Sequence, residues 1–334
     1  MNVSLCVVAY NESTMLGGLL DEVHKQDYPH KQMEVVLIDS GSQDDTKEMM
    51  LEFSGKYKEE FLDVQVLDNA KRIQAAGWNV AIENFKTDVM IRVDAHGSIP
   101  PEFVRKNVEN LQSGEDISGG VRPSIIANPT AWGQVLLQAE SSMFGSSVAS
   151  YRREGGEKTY VKSFFHGAYR RKVLEDVGGF HEYLGRTEDN EFHYRIRERG
   201  YRLCMDPSIL SYQYARPKFG KMLKQKFGNG YWIGLTLGVC PKCLSIFHFV
   251  PMGFVFGIIF TTILAIFGWP LLGIIMWSAY GILAVMMSII TFITSDKHVA
   301  QILLPFLFLC LHVTYGVGTW IGLIRMPFWR RKIR

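Results

Sequence analysis

Between Leu244 and Ile324 the only Asp, Glu, Lys or Arg residues are Asp296 and Lys297. No soluble core needs a run of that length so nearly free of charge. Polar breaks divide it into Leu244 to Gly268, Trp269 to Thr294 and Val299 to Ile324, each longer than the roughly 20 apolar residues that cross a bilayer. Three membrane segments are expected. Buried core helices are the bland alternative, but amphipathic gaps are absent, and Trp269, Trp277, Tyr280 and Trp320 suit interfacial belts. A chain of 334 residues leaves room ahead of this region for one large globular domain.

The flanks of the apolar region bear on its orientation. The N-terminus, Met1-Asn-Val-Ser-Leu-Cys-Val-Val-Ala-Tyr-Asn-Glu12, has no basic stretch and too short an apolar run for a signal peptide, so the first domain is expected in the cytoplasm. Three crossings would then put the tail outside. That tail, Arg325 to Arg334, carries five basic residues and should stay inside; one segment, with Leu244 to Gly268 the first choice, is therefore expected to be re-entrant or interfacial. Ahead of it Arg216, Lys218, Lys221, Lys224 and Lys226 interleave with Phe219, Met222, Leu223 and Phe227 at helical spacing, the pattern of an interfacial helix. The five cysteines, Cys6, Cys204, Cys240, Cys243 and Cys310, are scattered as in a reducing compartment. Cys240 and Cys243 have zinc-like spacing without a second pair and read as juxtamembrane sequence.

In the first 120 residues, short apolar runs alternate with helical periodicity: strands at Val3 to Ala9, Glu34 to Asp39, Val64 to Leu67 and Val89 to Val93 are separated by helices near 14–25, 44–55 and 72–84. This alternation predicts an α/β domain with a mostly parallel sheet and helices on both faces, whose sites lie at the carboxyl ends of strands. Asn11 and Glu12, Asp39, and Asp94 all fall there. Asp94 and His96, two residues apart at a strand end, can hold one divalent cation against a phosphate, although Asp-x-His before a turn is also an ordinary solvated strand end. The Asp39 loop can cap the next helix through Ser42 or Asp44. No Gly-x-Gly-x-x-Gly or Walker lysine loop follows the first strand, which counts against dinucleotide oxidoreductases and P-loop enzymes. Farther along, Thr187 can cap a helix whose first turn carries Glu188, Asp189 and Glu191. Helix dressing explains some of these acids; a carboxylate at a helix start can also take a proton from an acceptor hydroxyl.

With these residues in place, residues 2–215 resemble the inverting family 2 glycosyltransferases of the GT-A fold. Ala9-Tyr10-Asn11-Glu12 looks like that family's first-strand nucleotide segment, and Asp39-Ser40-Gly-Ser like the second-strand segment whose aspartate contacts the base. Asn69-Ala-Lys71-Arg72 resembles the loop that approaches the diphosphate. Arg92-Val-Asp94-Ala95-His96 sits where the metal-binding Asp-x-Asp belongs, and Thr187-Glu188-Asp189 resembles the motif whose aspartate acts as base. The attached membrane helices make the chain similar to the succinoglycan-type branch, which serves exopolysaccharide or cell-surface glycan synthesis.

The resemblance implies transfer of a sugar from a nucleoside diphosphate sugar, a UDP-sugar first, to a hydroxyl of a lipid-linked or glycan acceptor with inversion. Asp189 is the implied base with Glu188 beside it, and Asp94 and His96 the implied ligands of Mg²⁺ or Mn²⁺. His96 replaces the usual second aspartate, and imidazole favours Mn²⁺. Gln225-Lys-Phe-Gly-Asn-Gly-Tyr-Trp232 departs from the Gln-x-x-Arg-Trp of processive members and points to a single-sugar transferase. The expected layout is a catalytic domain at 1–215, an amphipathic linker at 216–243, membrane helices at 244–324 and a basic tail at 325–334. The expected location is the cell membrane, multi-pass, with membrane lipid and a polysaccharide assembly complex as partners and no nucleic acid. The alternatives are a polyprenyl-phosphate glycosyltransferase and a noncatalytic nucleotide-sugar-binding membrane subunit.

Overall fold

A computed structural model describes residues 1–145, 156–215 and 218–333. The chain opens with β1 (Val3–Ala9), α1 (Ser13–His24), β2 (Met33–Asp39), α2 (Thr46–Tyr57), β3 (Asp63–Asp68), α3 (Gln74–Asn84) and β4 (Val89–Asp94). It continues through β5 (Gly97–Ser98), α4 (Phe103–Gln112), β6 (Ile117–Val121), β7 (Ser124–Ile125), α5 (Ala131–Ser141), β8 (Thr159–Val161), β9 (Gly167–Arg170), α6 (Arg171–Val177) and α7 (Glu188–Glu198). Then follow β10 (Leu203–Leu210), β11 (Tyr212–Tyr214), α8 (Phe219–Thr236), α9 (Val250–Ile266), α10 (Leu271–Thr294) and α11 (Leu304–Ile333). Two compact units result, Met1–Pro123 with Ser150–Tyr214, and Ser124–Ala149 with Ala215–Arg334.

The first unit is an α/β domain on an eight-stranded sheet ordered β3-β2-β1-β4-β9-β6-β10-β8. Strands β3, β2, β1 and β4 run parallel, with Ala9 opposite Asp39 and Val8 opposite Asp94, so their carboxyl ends align. β1 and β2 are apolar without alternation because both their faces are covered, as parallel strands require. Beyond β4 the sheet turns mixed, since β9 is antiparallel to both β4 and β6. Helix α3 comes unusually close to β1: a Cβ on Gly77 would stand 2.6 Å from Val8. That closeness seats the fully buried Trp78 under the sheet.

The second unit is helical, and it differs from the sequence expectation in three ways. Residues 124–149, expected in the first domain, belong here because Val135, Leu136 and Ala139 of α5 share a core with Met222, Leu304, Leu307, Phe308 and Leu311. The stretch 216–243 is not a lone interfacial helix. Gly230 and Gly234 of α8 lie against α11, and Gly318 and Gly322 of α11 against α8, with the backbones in contact, since a Cβ on Gly318 would lie 2.3 Å from the Phe227 carbonyl oxygen and one on Gly322 2.1 Å from that of Tyr231. Small residues spaced by four on both helices allow this approach. Lys226, assigned to the basic face, is buried and pairs with Glu140 at 2.7 Å. Third, the basic tail is helical, because α11 runs through Pro327 to Ile333. Arg216 and Arg334 lie outside the described residues.

Among the described residues, three helical stretches are long and apolar enough to cross a membrane, Ile246–Ile266, Leu271–Thr294 and Val299–Ile333. The first is as capable of crossing by length and composition as the others. In the turn before it, Cys243 Sγ donates to the Cys240 carbonyl at 2.9 Å, a local bond within the Cys-x-x-Cys stretch.

Candidate active site

The carboxyl ends of β1, β2 and β4 and the first turn of α7 build one polar cluster within the first unit. Arg92 lies at its centre. Strand alternation puts Arg92 and Asp94 on the same face of β4, and the Arg92 side chain is 1 % exposed, with its guanidinium 4.3 Å from the Trp78 ring and 5.2 Å from that of Phe180. Its Nη1 donates to Asp189 Oδ1, and its Nη2 stands 4.0 Å from Asp94 Oδ1. Taking a guanidinium out of water costs several kcal/mol, and two carboxylates facing it offset that. Burial opposes the Arg92 charge, but Asp189 and Asp94 outweigh it and raise the pKa above its ordinary value.

Asp94 is similarly enclosed. Its backbone N–H donates to His166 Nε2 at 3.2 Å, and its Oδ2 lies 3.4 Å from Arg122 Nη1 and 3.6 Å from His166 Nε2. Burial favours the neutral acid, yet the close His166 ring and the charge of Arg92 hold the carboxyl far below its usual range. Among the described residues, Asp94 Oδ1 is buried without a hydrogen-bond partner, as are Arg92 Nε and Nη2, His166 Nδ1 and Glu188 Oε2. Buried polar atoms in proteins are nearly always satisfied, so their gathering around Asp94 and Asp189 marks a surface shaped for a polar ligand.

The three acids at the start of α7 divide their roles. Glu191 bonds Arg195 at 2.7 Å and faces His181 at 3.3 Å, and Arg195 in turn holds the carbonyls of Val177 and Gly179. It is a structural acid. Asp189 takes Arg92. Burial, then repulsion from Asp189, raises the Glu188 carboxyl. Thr187 stands at the N-cap position but makes no side-chain capping bond.

The nucleotide-side residues assemble around the ends of β1 to β3. Asp39 accepts from the N–H groups of Gly41 at 3.0 Å and Ser42 at 3.2 Å, which folds the loop back on its own carboxylate. Ser40 accepts from Asn69 Nδ2 at 3.1 Å, and Asn11 Oδ1 accepts from Gln43 N at 2.8 Å. Helix α2 is primed by Asp44, which accepts from Thr46 N at 3.2 Å and from Ser13 N at 3.1 Å. Asn11 (φ 53°) and Arg72 (φ 56°) are the two non-glycine residues with positive φ among the described residues; backbone strain of this kind concentrates at ligand sites. The Arg72 guanidinium crosses Gly41 so closely that a Cβ there would lie 2.6 Å from Nε. Ala9 and Ala95 are buried at strand ends and Tyr10 is half exposed. Lys71 points away to Glu182 at 2.6 Å in solvent. His96 turns Nδ1 to Glu12 Oε1 at 3.6 Å and Nε2 to Gln213 Nε2 at 3.1 Å.

Residues 4–178, just over half of the 334, match the family described as Glycosyl transferase family 2. The chain belongs to glycosyl transferase family 2. It is thus a glycosyltransferase of an inverting family, with the GT-A fold. An enzyme of Methanococcus voltae named dolichyl N-acetyl-alpha-D-glucosaminyl phosphate 3-beta-D-2,3-diacetamido-2,3-dideoxy-beta-D-glucuronosyltransferase is 25 % identical over 97 % of both chains. The succinoglycan biosynthesis protein ExoA of Rhizobium meliloti is 29 % identical over 68 % of each. Among solved structures, mannosyltransferase PcManGT from Pyrobaculum calidifontis, in complex with GDP-Man and Mn²⁺, superposes with a TM-score of 0.57 at 17 % identity, over 98 % of this chain and 87 % of that one. That likeness supports the fold.

In this family 2 glycosyltransferase the structure adds Arg92, Arg122, His166 and Trp78 to the residues the sequence singled out. Arg92 was within reach of strand alternation, two residues before Asp94. Nothing local in the sequence marks His166, which comes to Asp94 from 72 residues away.

Proposed function

We propose that the protein transfers one sugar from a nucleoside diphosphate sugar, a UDP-sugar in the first instance, to a hydroxyl of a lipid-linked or glycan acceptor, with Asp189 as general base. The observation that carries this reading is the single buried Arg92 shared by Asp189 and Asp94. It fixes the carboxylate of a helix start beside the carboxylate of a strand end, where an acceptor hydroxyl and a sugar diphosphate can meet. Of the two adjacent acids, Glu188 is pushed toward its protonated form and is a poor base; Asp189 accepts the proton. Attack opposite the leaving diphosphate inverts the anomeric centre without a covalent enzyme intermediate.

The residues present fit a divalent cation. Asp94 is held ionised, as a ligand must be, and its Oδ1 is buried without a hydrogen-bond partner; His96 stands at the same strand end. Asp94 and His96 would hold Mg²⁺ or Mn²⁺, with imidazole favouring Mn²⁺. When bound, such an ion supplies charge stabilisation to a departing diphosphate. Asp39, Ser40, Asn11 and Glu12 line the nucleotide end, and Arg72, braced on Gly41, directs its charge there. Lys71, engaged with Glu182, serves loop position.

The dolichyl-linked substrate in the Methanococcus voltae enzyme's name supports a lipid-linked acceptor, and ExoA's name supports exopolysaccharide synthesis. We place the protein in the cell membrane as a multi-pass chain with the catalytic unit on the cytoplasmic side, and with one apolar segment not crossing so that the basic end of α11 stays inside; a C-terminal reporter active only on the outer face contradicts this topology. The functional test presents radiolabelled nucleotide sugars to purified protein with membrane lipid extract and determines the anomeric configuration of the product. Incorporation with inversion supports the reading, and absence of incorporation from every donor and acceptor fraction overturns it. A product whose sugar sits directly on a polyprenyl phosphate would move the chain to the other acceptor class.

A further inference from the structure

His24, His30 and Glu60 bring three ligand-type atoms within 4.8 Å of one another on the first unit. They come from three segments: the last turn of α1, the turn leading into β2, and the loop between α2 and β3. This is the amino end of the parallel strands, opposite the end that carries Asp39 and Asp94. The two imidazoles are already oriented. The ring of His24 stacks on Tyr57 at 4.1 Å, that of His30 stacks on Phe61 at 4.4 Å, and the centroids of the two imidazoles lie 5.4 Å apart with their planes tilted by 48°. His24 Nε2 meets Glu60 Oε2 at 2.9 Å.

We propose that His24, His30 and Glu60 form a binding site for a transition-metal ion of the Zn²⁺ class. Two imidazoles and one carboxylate are a donor set that Zn²⁺ accepts, with water completing the tetrahedron. Bonds of about 2.0–2.2 Å put tetrahedral ligands roughly 3.3 Å apart. The His24–Glu60 pair is therefore near its bound spacing, and the His30 ligand atom, within 4.8 Å of both, has to move closer. The ion takes the place of the hydrogen that joins His24 Nε2 to Glu60, and the neutral ring then carries its hydrogen on Nδ1. With Tyr57 and Phe61 holding both rings, little rotamer freedom remains to be lost. The ion would clip α1, the entry to β2 and the entry to β3 to one another, a stabilising role at the end of the sheet remote from the proposed chemistry. The site stands independently of the donor, acceptor and base assigned above.

The test uses the full chain in detergent, without a polyhistidine tag and stripped by chelator, titrated with Zn²⁺ alone by calorimetry and by thermal unfolding. The expected result is one Zn²⁺ equivalent bound with micromolar or tighter affinity, accompanied by a rise in Tm. Glu60→Gln, at an exposed position, and His30→Ala should each weaken that equivalent by roughly tenfold or more while leaving sugar transfer and any Zn²⁺ held near Asp94 unchanged. Binding weaker than millimolar, or binding indifferent to both substitutions, overturns the proposal. Because Glu60→Gln touches no core residue, loss of folding in His30→Ala alone would not obscure the outcome.

Discussion

Arg92 Nη1 donates to Asp189 Oδ1 between two elements 97 residues apart in sequence, β4 and the first turn of α7. The same guanidinium faces Asp94 at 4.0 Å, so one buried cation fixes the spacing of the two carboxylates on which sugar transfer is proposed to depend.

Removing that cation should be costly in two separable ways. Arg92→Met leaves Asp94 and Asp189 buried without it, and breaking a buried pair costs about 3–5 kcal/mol, visible as a large drop in Tm. Arg92→Lys keeps the charge but loses the planar stack on Trp78 and the two-sided reach. A misplacement of about 1 Å costs on the order of 10²-fold in rate, so kcat should fall while donor KM moves little. A Lys variant with wild-type kcat would show that the guanidinium has no positioning role.

Asp94→Asn should raise donor KM and abolish the dependence of activity on added divalent cation. The check is a donor titration with and without chelator. Wild-type transfer that is indifferent to chelator would remove Asp94 and His96 as cation ligands.

His193 gives the fold a pH dependence of known sign. It is fully buried between Ser163 and Tyr169, and burial, aided by Arg92 and Arg197, lowers its pKa from 6.5 to about 3. The unfolded chain takes up a proton below its ordinary pKa while the folded chain resists until far lower. This contribution is therefore complete above pH 6.5 and is lost as pH falls toward 3, at about 1.4 kcal/mol per pH unit. Thermal unfolding between pH 7 and 4.5 should show the slope, and His193→Gln, which keeps a polar group for Tyr169, should flatten it.

In the second unit, Gly318→Leu and Gly322→Leu should each separate α8 from α11, because both Cβ positions fall on the backbone of α8. Loss of Tm or new protease cleavage between the helices is the expected readout. Normal stability in both variants would contradict the close glycine contact.

The sequence already exposed the strands and their polar ends, since buried parallel strands read as apolar runs that stop on Asp39 and Asp94. It also exposed the three apolar stretches long enough to cross a membrane, which lack charge. What periodicity does not carry is partnership. Lys226 reads as part of the basic face of an interfacial helix until Glu140 meets it, and the Gly230-x-x-x-Gly234 spacing does not say which helix it packs on. The acids at 188, 189 and 191 look equivalent in sequence; only Arg92 and Arg195, arriving from different places, separate a candidate base from a helix brace. His96 is the same kind of case, since its ring nitrogens face Glu12 and Gln213, which adjacency to Asp94 does not foretell.

The most direct test of the account is Asp189→Asn, assayed for sugar transfer under saturating donor and for donor affinity by calorimetry. The amide keeps the size of the side chain but cannot accept the acceptor's proton. Transfer should fall by about 10²–10⁴-fold, the usual worth of a positioned base, with donor affinity close to that of the unsubstituted protein. Transfer at the original rate would contradict Asp189 as base and with it the mechanism proposed for this site.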